Sequence, residues 1–225
     1  QLLRGLLLVS ISLLSMNTLR WMPVGEFTAI LMMTPLLVTL LAVLLLKERV
    51  SVPRWVLLAT GFTGTLIIVR PGGTGFAWAM LLPLGLVAAN TWFQVLTSRL
   101  AKLDPPATTH LYTGMVGATV ASILLPFAWE LPTHWSTWLL LLFMGLTSSG
   151  GHYLLILAYG KASAASITPF LYGQIFFAVI GGWLVFSHTP DGLSLLGMGL
   201  IAFSGALTAW LVARENRVMS SARSG

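Results

Sequence analysis

The side chains of this chain that could bind a ligand are a few polar groups inside otherwise apolar stretches. His152 follows Ser148 and Ser149 and precedes Tyr153 within such a stretch. Its imidazole could hydrogen-bond an anionic or amide group of a ligand, or change its protonation near neutral pH. The alternative is a hydrogen bond from neutral imidazole to a neighbouring helix. His152 is therefore predicted to be either a substrate-binding residue or an interhelical contact.

Two further sets of polar side chains occur at depth in apolar stretches. Asn90 and Gln94 are four residues apart, so their amides share one face of a helix. Tyr172 and Gln174 lie in the middle of another apolar stretch. Buried amides need partners, which either a bound substrate or a neighbouring helix could provide. Both interpretations stay open at this point.

Prolines and tryptophans inside the same stretches could shape a cavity. Pro35 and Pro169 are internal to two long apolar runs, where proline removes a backbone N–H and kinks a helix. We predict that both kinks shape a cavity, the alternative being a static bend without function. Trp92 and Trp183 are predicted cavity walls, with helix packing as the alternative.

The sequence does not predict catalytic or metal chemistry. The chain has no cysteine, and its four histidines show no metal-ligand spacing. Ser149 and His152 could suggest a nucleophile and its base, but no orienting carboxylate is evident. Neither a P-loop nor a His-Glu-x-x-His motif occurs. We therefore expect no enzyme activity, no metal and no cofactor, and keep an intramembrane hydrolase as a remote alternative.

The elements that carry these residues are predicted to be membrane-spanning helices. Of the 225 residues, 56% are hydrophobic and 8% are charged, whereas soluble domains carry about 25% charged residues. About 20 apolar residues span the hydrocarbon core as a helix. Eight stretches qualify: 3–20, 24–46, 53–70, 76–97, 107–128, 136–159, 162–186 and 193–213. The predicted fold class is an all-α polytopic membrane protein, which excludes a nucleic-acid partner and places any site among the helices.

Lysines and arginines predict the orientation of these helices, because they are enriched in cytoplasmic connections. With the N-terminus in the cytoplasm, ten basic residues lie inside and only Arg20 and Arg70 lie outside. The ten are Arg4, Lys47, Arg49, Arg54, Arg99, Lys102, Lys161, Arg214, Arg217 and Arg223. Both termini are therefore predicted to be cytoplasmic.

The sequence also contains a weak internal repeat. Residues 24–65 and 164–205 share a layout at an offset near 140, namely a long helix with an internal proline, a polar turn and a Gly-containing helix. The two copies point in opposite directions across the membrane. Inverted repeats of this kind are typical of secondary transporters, whose site lies near the midplane. We predict a substrate site between helices 76–97, 136–159 and 162–186, formed by Asn90, Gln94, His152, Tyr172 and Gln174.

Short motifs in both copies resemble the EamA-type proteins of the drug/metabolite transporter superfamily. The first set is Arg4-Gly5-Leu6-Leu7, Leu19-Arg20-Trp21-Met22-Pro23, Thr34-Pro35-Leu36 and Lys47-Glu48-Arg49. The second is Gly151-His152-Tyr153-Leu154, Thr168-Pro169-Phe170-Leu171-Tyr172-Gly173-Gln174 and Phe186-Ser187-His188-Thr189-Pro190. The resemblance implies two five-helix inverted repeats, ten helices in all, that export or import amino acids and other small metabolites across the bacterial inner membrane by alternating access.

The resemblance also implies a domain layout and a set of partners. With eight visible helices, the first two family helices are expected to be missing, so that residues 1–72 form the last three helices of one repeat, 73–218 the second repeat, and 219–225 a cytoplasmic tail. The expected partners are a small-molecule substrate and the lipid bilayer, with a homodimer left open. A nontransporting membrane scaffold, or an inactive fragment of a transporter, is the alternative function.

Overall fold

The computed structural model describes residues 1–22, 24–48, 50–69, 81–127, 131–187 and 191–224, and these residues form an all-α fold. The helices are α1 Leu2–Leu19, α2 Val24–Leu31, α3 Met33–Leu46, α4 Val52–Val69, α5 Leu81–Leu100, α6 Pro106–Leu124, α7 Trp135–Lys161, α8 Ala164–Ile167, α9 Gly173–Phe186 and α10 Gly192–Ser224. Two 3₁₀ segments follow α6 and α8, at Leu125–Phe127 and Thr168–Tyr172.

Five of the described helical stretches are long and apolar enough to cross a membrane: Leu2–Leu19, Pro106–Phe127, Trp135–Lys161, Ala164–Val185 and Gly192–Glu215. Two shorter apolar helices occur at Met33–Leu46 and Val52–Ile68. The prediction of an all-α, multi-pass membrane protein is confirmed.

The helix boundaries differ from the predicted ones where proline interrupts the backbone. The predicted helix 24–46 is two helices that meet at Met32, and the predicted helix 162–186 is α8, a 3₁₀ segment and α9. Pro35 and Pro169 have no N–H to donate to the carbonyl four residues earlier, so a continuous α-helix loses a bond at each position. The first interruption, at Met32, lies just before Pro35, and the second contains Pro169.

Other helix boundaries differ because hydropathy predicts only the apolar part of a helix. The predicted helix 193–213 continues as α10 to Ser224, through most of the predicted tail 219–225. No glycine or proline occurs between Arg214 and Ser224 to end the helix. The helix predicted at 76–97 is described from Leu81 to Leu100, and residues 76–80 lie outside the described part of the chain. The predicted repeat boundary at residue 72 also lies outside it, as do Arg49, Arg70 and His188.

The structure repeats itself at the offset that the sequence predicts. Helices α2 and α8 begin 140 residues apart, as do α3 and α9, and α4 and α10. The residues that end α3 and α9, Lys47 and Ser187, are also 140 apart, and both adopt left-handed backbone angles, with φ of 55° and 53°. A positive φ is uncommon outside glycine. The shared turn therefore supports a common unit more strongly than the few matching letters do.

The matched helices α4 and α10 pack in opposite directions. Arg54 near the start of α4 forms an ion pair with Glu215 in the last part of α10. Further along α4, a Cβ added to Gly64 would lie 2.6 Å from the carbonyl oxygen of Gly197, near the start of α10. A Cβ on Gly197 would lie 2.6 Å from the carbonyl of Gly64 in return. Small residues thus let two backbones touch, and the two units are inverted relative to each other.

Basic residues at the ends of several described helices lie at one end of the helix bundle, which we call the basic end. Arg99 near the end of α5 donates to the carbonyl of Leu45 at the end of α3, at 3.1 Å. Glu48 accepts the backbone N–H groups of Ala164 and Ala165 at the start of α8, at 3.1 and 3.0 Å. The ends of α3 and α5 therefore share one end with the start of α8, as the alternation of charge predicts.

Candidate functional site

Gln94 joins α5 to α7 through a buried hydrogen bond. The hydroxyl of Tyr159 donates to the amide oxygen of Gln94 at 2.8 Å, and both side chains are buried. Tyr159 packs in one apolar cluster with Val38 and Ala42 of α3. The amide nitrogen of Gln94 has no hydrogen-bond partner among the described residues. Gln94 therefore forms the interhelical contact that the sequence allowed, while keeping a donor free.

His152 of α7 also contacts α5, at Phe93, the residue next to Gln94. Its ring makes an edge contact with Phe93 of α5, with centroids 5.7 Å apart and planes at 75°. Within the described part of the chain, neither imidazole nitrogen has a hydrogen-bond partner. The ring is half-buried, so it is held by packing while its nitrogens stay available. This geometry is compatible with the substrate-binding alternative.

The guanidinium group of Arg4 lies on the ring of Phe93, 4.8 Å from its centroid. Arg4 is 1% exposed. Its Nε donates to Thr97 Oγ1 at 2.8 Å, and its Nη1 donates to the carbonyl of Thr109 at 3.0 Å and to Thr113 Oγ1. The ion pair that the described residues form does not include Arg4. A buried cation held by neutral oxygens and an aromatic face thus joins α1 to α5 and α6.

Arg4 and its threonines were not among the predicted site residues. From the sequence alone, Arg4 indicates only the orientation of the first helix, because it lies at the start of an apolar stretch. Thr97, Thr109 and Thr113 look like ordinary helix residues when read singly. Their spacing, with Thr109 and Thr113 one turn apart, is the only signal in the sequence for a shared face.

Asn90 faces the interruption between α2 and α3. Its amide nitrogen donates to Thr34 Oγ1 at 3.4 Å, which is a long hydrogen bond. Thr34 precedes Pro35 in the first turn of α3. The structure thereby places a predicted site residue of α5 next to one of the two proline-containing breaks. Asn90, Gln94 and His152 are the predicted site residues that share this region around α5.

The remaining predicted site residues lie elsewhere. Tyr172 is buried between α4 and α10, where a Cβ on Gly61 would lie 3.1 Å from its hydroxyl and one on Gly205 would lie 2.9 Å from its Cβ. Its hydroxyl has no hydrogen-bond partner among the described residues. Gln174 is exposed on α9, two residues further along. The structure does not bring these two side chains together with the group around α5.

The two predicted wall residues point to the surface of the described chain. Trp92 of α5 is 48% exposed and Trp183 of α9 is 57% exposed. Neither encloses the group formed by Asn90, Gln94 and His152. Their role as cavity walls stays a prediction.

The described residues do not form a metal-binding cluster of histidine and carboxylate groups. The hydrogen-bond partner of Ser149 is His110 Nε2, at 3.0 Å, and not the nearby His152. His110 Nδ1 is buried and has no described partner, and the ring packs edge-on against Tyr153. A hydrolase needs a group that orients the histidine base. Among the described residues, the pair of Ser149 and His110 has no third group of that kind.

Comparison with known proteins shows similarity to transporters. The chain is 33% identical over 198 residues to a riboflavin transporter of Vibrio cholerae, an alignment that covers 87% of this chain and 66% of that protein. It is 26% identical over 198 residues to an S-adenosylmethionine uptake transporter of Rickettsia bellii, covering 88% of this chain and 67% of that protein. The chain thus spans about two thirds of the length of these relatives. No protein-family model matches it.

A solved crystal structure of a protein has the same fold. The match has a TM-score of 0.70 and 22% sequence identity, and it covers 95% of this chain and 77% of the other. At this identity the likeness supports the fold and carries no conclusion about the ligand.

Proposed function

Because the chain belongs to the EamA-type family of the drug/metabolite transporter superfamily, we propose that the protein moves a small metabolite across the bacterial inner membrane by alternating access. The observation that carries this proposal is the pair of inverted units with interrupted helices at matching positions. Interrupted helices in corresponding places of two repeats are the best structural pointer to a transport site. The relatives that the chain resembles are named as transporters, which supports the same function.

The proposed substrate site is the region between α5, α7 and the α2–α3 break. The free amide nitrogen of Gln94, the amide of Asn90 and the imidazole of His152 would hydrogen-bond the substrate there. The long bond from Asn90 to Thr34 is weak enough for a substrate to replace. Riboflavin and S-adenosylmethionine are the first substrates to test, since relatives carry those names.

Uptake into proteoliposomes tests the function. The natural full-length protein should accumulate or exchange labelled riboflavin or S-adenosylmethionine with saturable kinetics, above protein-free liposomes of the same lipid. Unlabelled substrate in excess should compete with the label. A correctly folded protein that moves neither compound, nor a panel of amino acids, would favour the nontransporting scaffold.

The basic end is proposed to face the cytoplasm, with both termini on that side. The enrichment of Lys and Arg at that end supports this orientation. Lys102 is exposed there, and Thr133 is exposed at the opposite end, before α7. In this cysteine-free chain, Lys102→Cys should react with a membrane-impermeant thiol reagent only from the cytoplasmic side, and Thr133→Cys only from outside. The reverse pattern in intact cells would invert the proposed topology.

A further inference from the structure

The described helices divide into two groups that do not follow the sequence repeats. Helices α1, α5, α6 and α7 pack together, and we call them the Arg4 group. Helices α2, α3, α4, α8, α9 and α10 pack together, and we call them the glycine group after the Gly64–Gly197 contact. Each group contains helices from both the first and the second repeat.

The Arg4 group is held together by contacts that depend on burial. Arg4 brings α1 from the first repeat against α5 and α6 from the second, through hydrogen bonds to Thr97, Thr109 and Thr113. A Cβ on Gly5 of α1 would lie 2.9 Å from a methyl carbon of Val116 on α6, so the α1 backbone packs directly against the Val116 side chain. Separating them would leave the guanidinium without its three oxygen acceptors and without the ring of Phe93.

The glycine group is joined across the repeats in the same way. The α4–α10 backbones touch at Gly64 and Gly197. The hydroxyls of Thr39 on α3 and Thr168 at the start of the second 3₁₀ segment lie 3.2 Å apart, and both side chains are buried. Glu48 ties the end of α3 to the start of α8. First-repeat helices are therefore fastened to second-repeat helices in this group too.

Contacts between the two groups are of a different kind. The polar ones are the long Asn90–Thr34 bond and the Arg99 contact with a backbone carbonyl. The rest are apolar and extensive, since α5 packs along α2 and α3, and Val95 and Tyr159 share a buried cluster with Val38, Ala42 and Ala164. Apolar surfaces can slide without leaving a buried charge unsatisfied. The proposed substrate residues Asn90 and Gln94 lie along this boundary.

We propose that transport rocks the Arg4 group against the glycine group, and not one sequence repeat against the other. This inference rests on the proposed transport function and names the bodies that move. Rocking by repeats would tear the buried contacts of both groups in each cycle. Rocking by groups leaves them intact and opens the boundary where the proposed site lies.

Disulfides that cross the repeats but stay within one group test this division. Thr39→Cys with Thr168→Cys places two thiols where hydroxyls are 3.2 Å apart. Gly5→Cys with Val116→Cys repeats the test in the Arg4 group. These two positions are so close that α1 and α6 must move apart slightly to accommodate the disulfide. Because the 225 residues of this chain contain no cysteine, a free-thiol assay, compared with the unsubstituted protein, reports how completely each disulfide forms. Transport is measured in proteoliposomes before and after oxidation, and again after reduction.

We expect each oxidised variant to transport as fast as its reduced form, within a factor of about two. The unsubstituted protein, oxidised in parallel, controls for damage by the oxidant. Transport that stops on oxidation of either pair and returns on reduction would show that the repeats move against each other, and would overturn the proposal. A reduced protein that transports nothing would instead contradict the proposed function, before any disulfide is compared.

Discussion

Replacing Arg4 by alanine should lower the free energy of unfolding by about 3 kcal/mol. Shortening a large buried side chain to alanine typically costs about 2–5 kcal/mol through lost contacts and the cavity left behind. The three hydrogen bonds from the guanidinium and its contact with Phe93 are lost as well. The relief of a buried positive charge offsets part of that loss. Denaturant titration of the purified protein, followed by tryptophan fluorescence, measures the change.

Arg4→Met distinguishes the charge from the volume at this position. Each acceptor of Arg4 keeps another hydrogen-bond partner, because the Thr97 hydroxyl donates to the carbonyl of Phe93 at 2.6 Å and the Thr113 hydroxyl donates to the carbonyl of Thr109 at 2.9 Å. No polar group is orphaned when the guanidinium is removed, so methionine should recover stability to within about 1 kcal/mol of the natural protein. Lys102→Ala, at an exposed position, should change stability by less than about 0.5 kcal/mol. Equal losses for Arg4→Ala and Arg4→Met would mean that the cation itself holds the helices together.

The sequence could predict the helices because membrane insertion is governed by local composition. Hydropathy located the spans, and the alternation of lysine and arginine identified which helix ends meet, as the Glu48 and Arg99 contacts show. The offset of the internal repeat could also be predicted, since it follows from the order of helices and turns along the chain. These features depend on short windows of sequence.

The packing of the helices could not be predicted in the same way. Tyr172 and Gln174 are two residues apart, yet one is buried against α4 and α10 and the other is exposed, because each face of a helix meets a different neighbour. Which residue faces a neighbouring helix depends on how the helix is rotated about its own axis. A helix that is apolar on all sides does not specify that rotation. For the same reason the sequence did not show that Arg4 meets residues over ninety positions away in the chain, although the spacing of Thr109 and Thr113 places those two on one helix face.

His152→Ala should reduce transport by at least about tenfold while leaving the fold nearly unchanged. The imidazole has no hydrogen-bond partner among the described residues and is held by its edge contact with Phe93. Losing such an aromatic contact costs about 0.5–1.5 kcal/mol of stability. Losing one substrate hydrogen bond of about 1.4 kcal/mol corresponds to a factor of ten in affinity.

The matched control for this prediction is His134→Ala, since His134 is exposed and directly precedes α7, the helix that carries His152. Both variants are compared for initial transport rate per folded molecule and for thermal stability in the same lipid. If His152 contributes only to helix packing, its replacement lowers folding and transport in proportion, and the rate per folded molecule stays equal to that of His134→Ala. A selective loss of rate assigns the imidazole to the substrate, because the α5–α7 contact through Gln94 and Tyr159 is intact in the variant and continues to hold the two helices together.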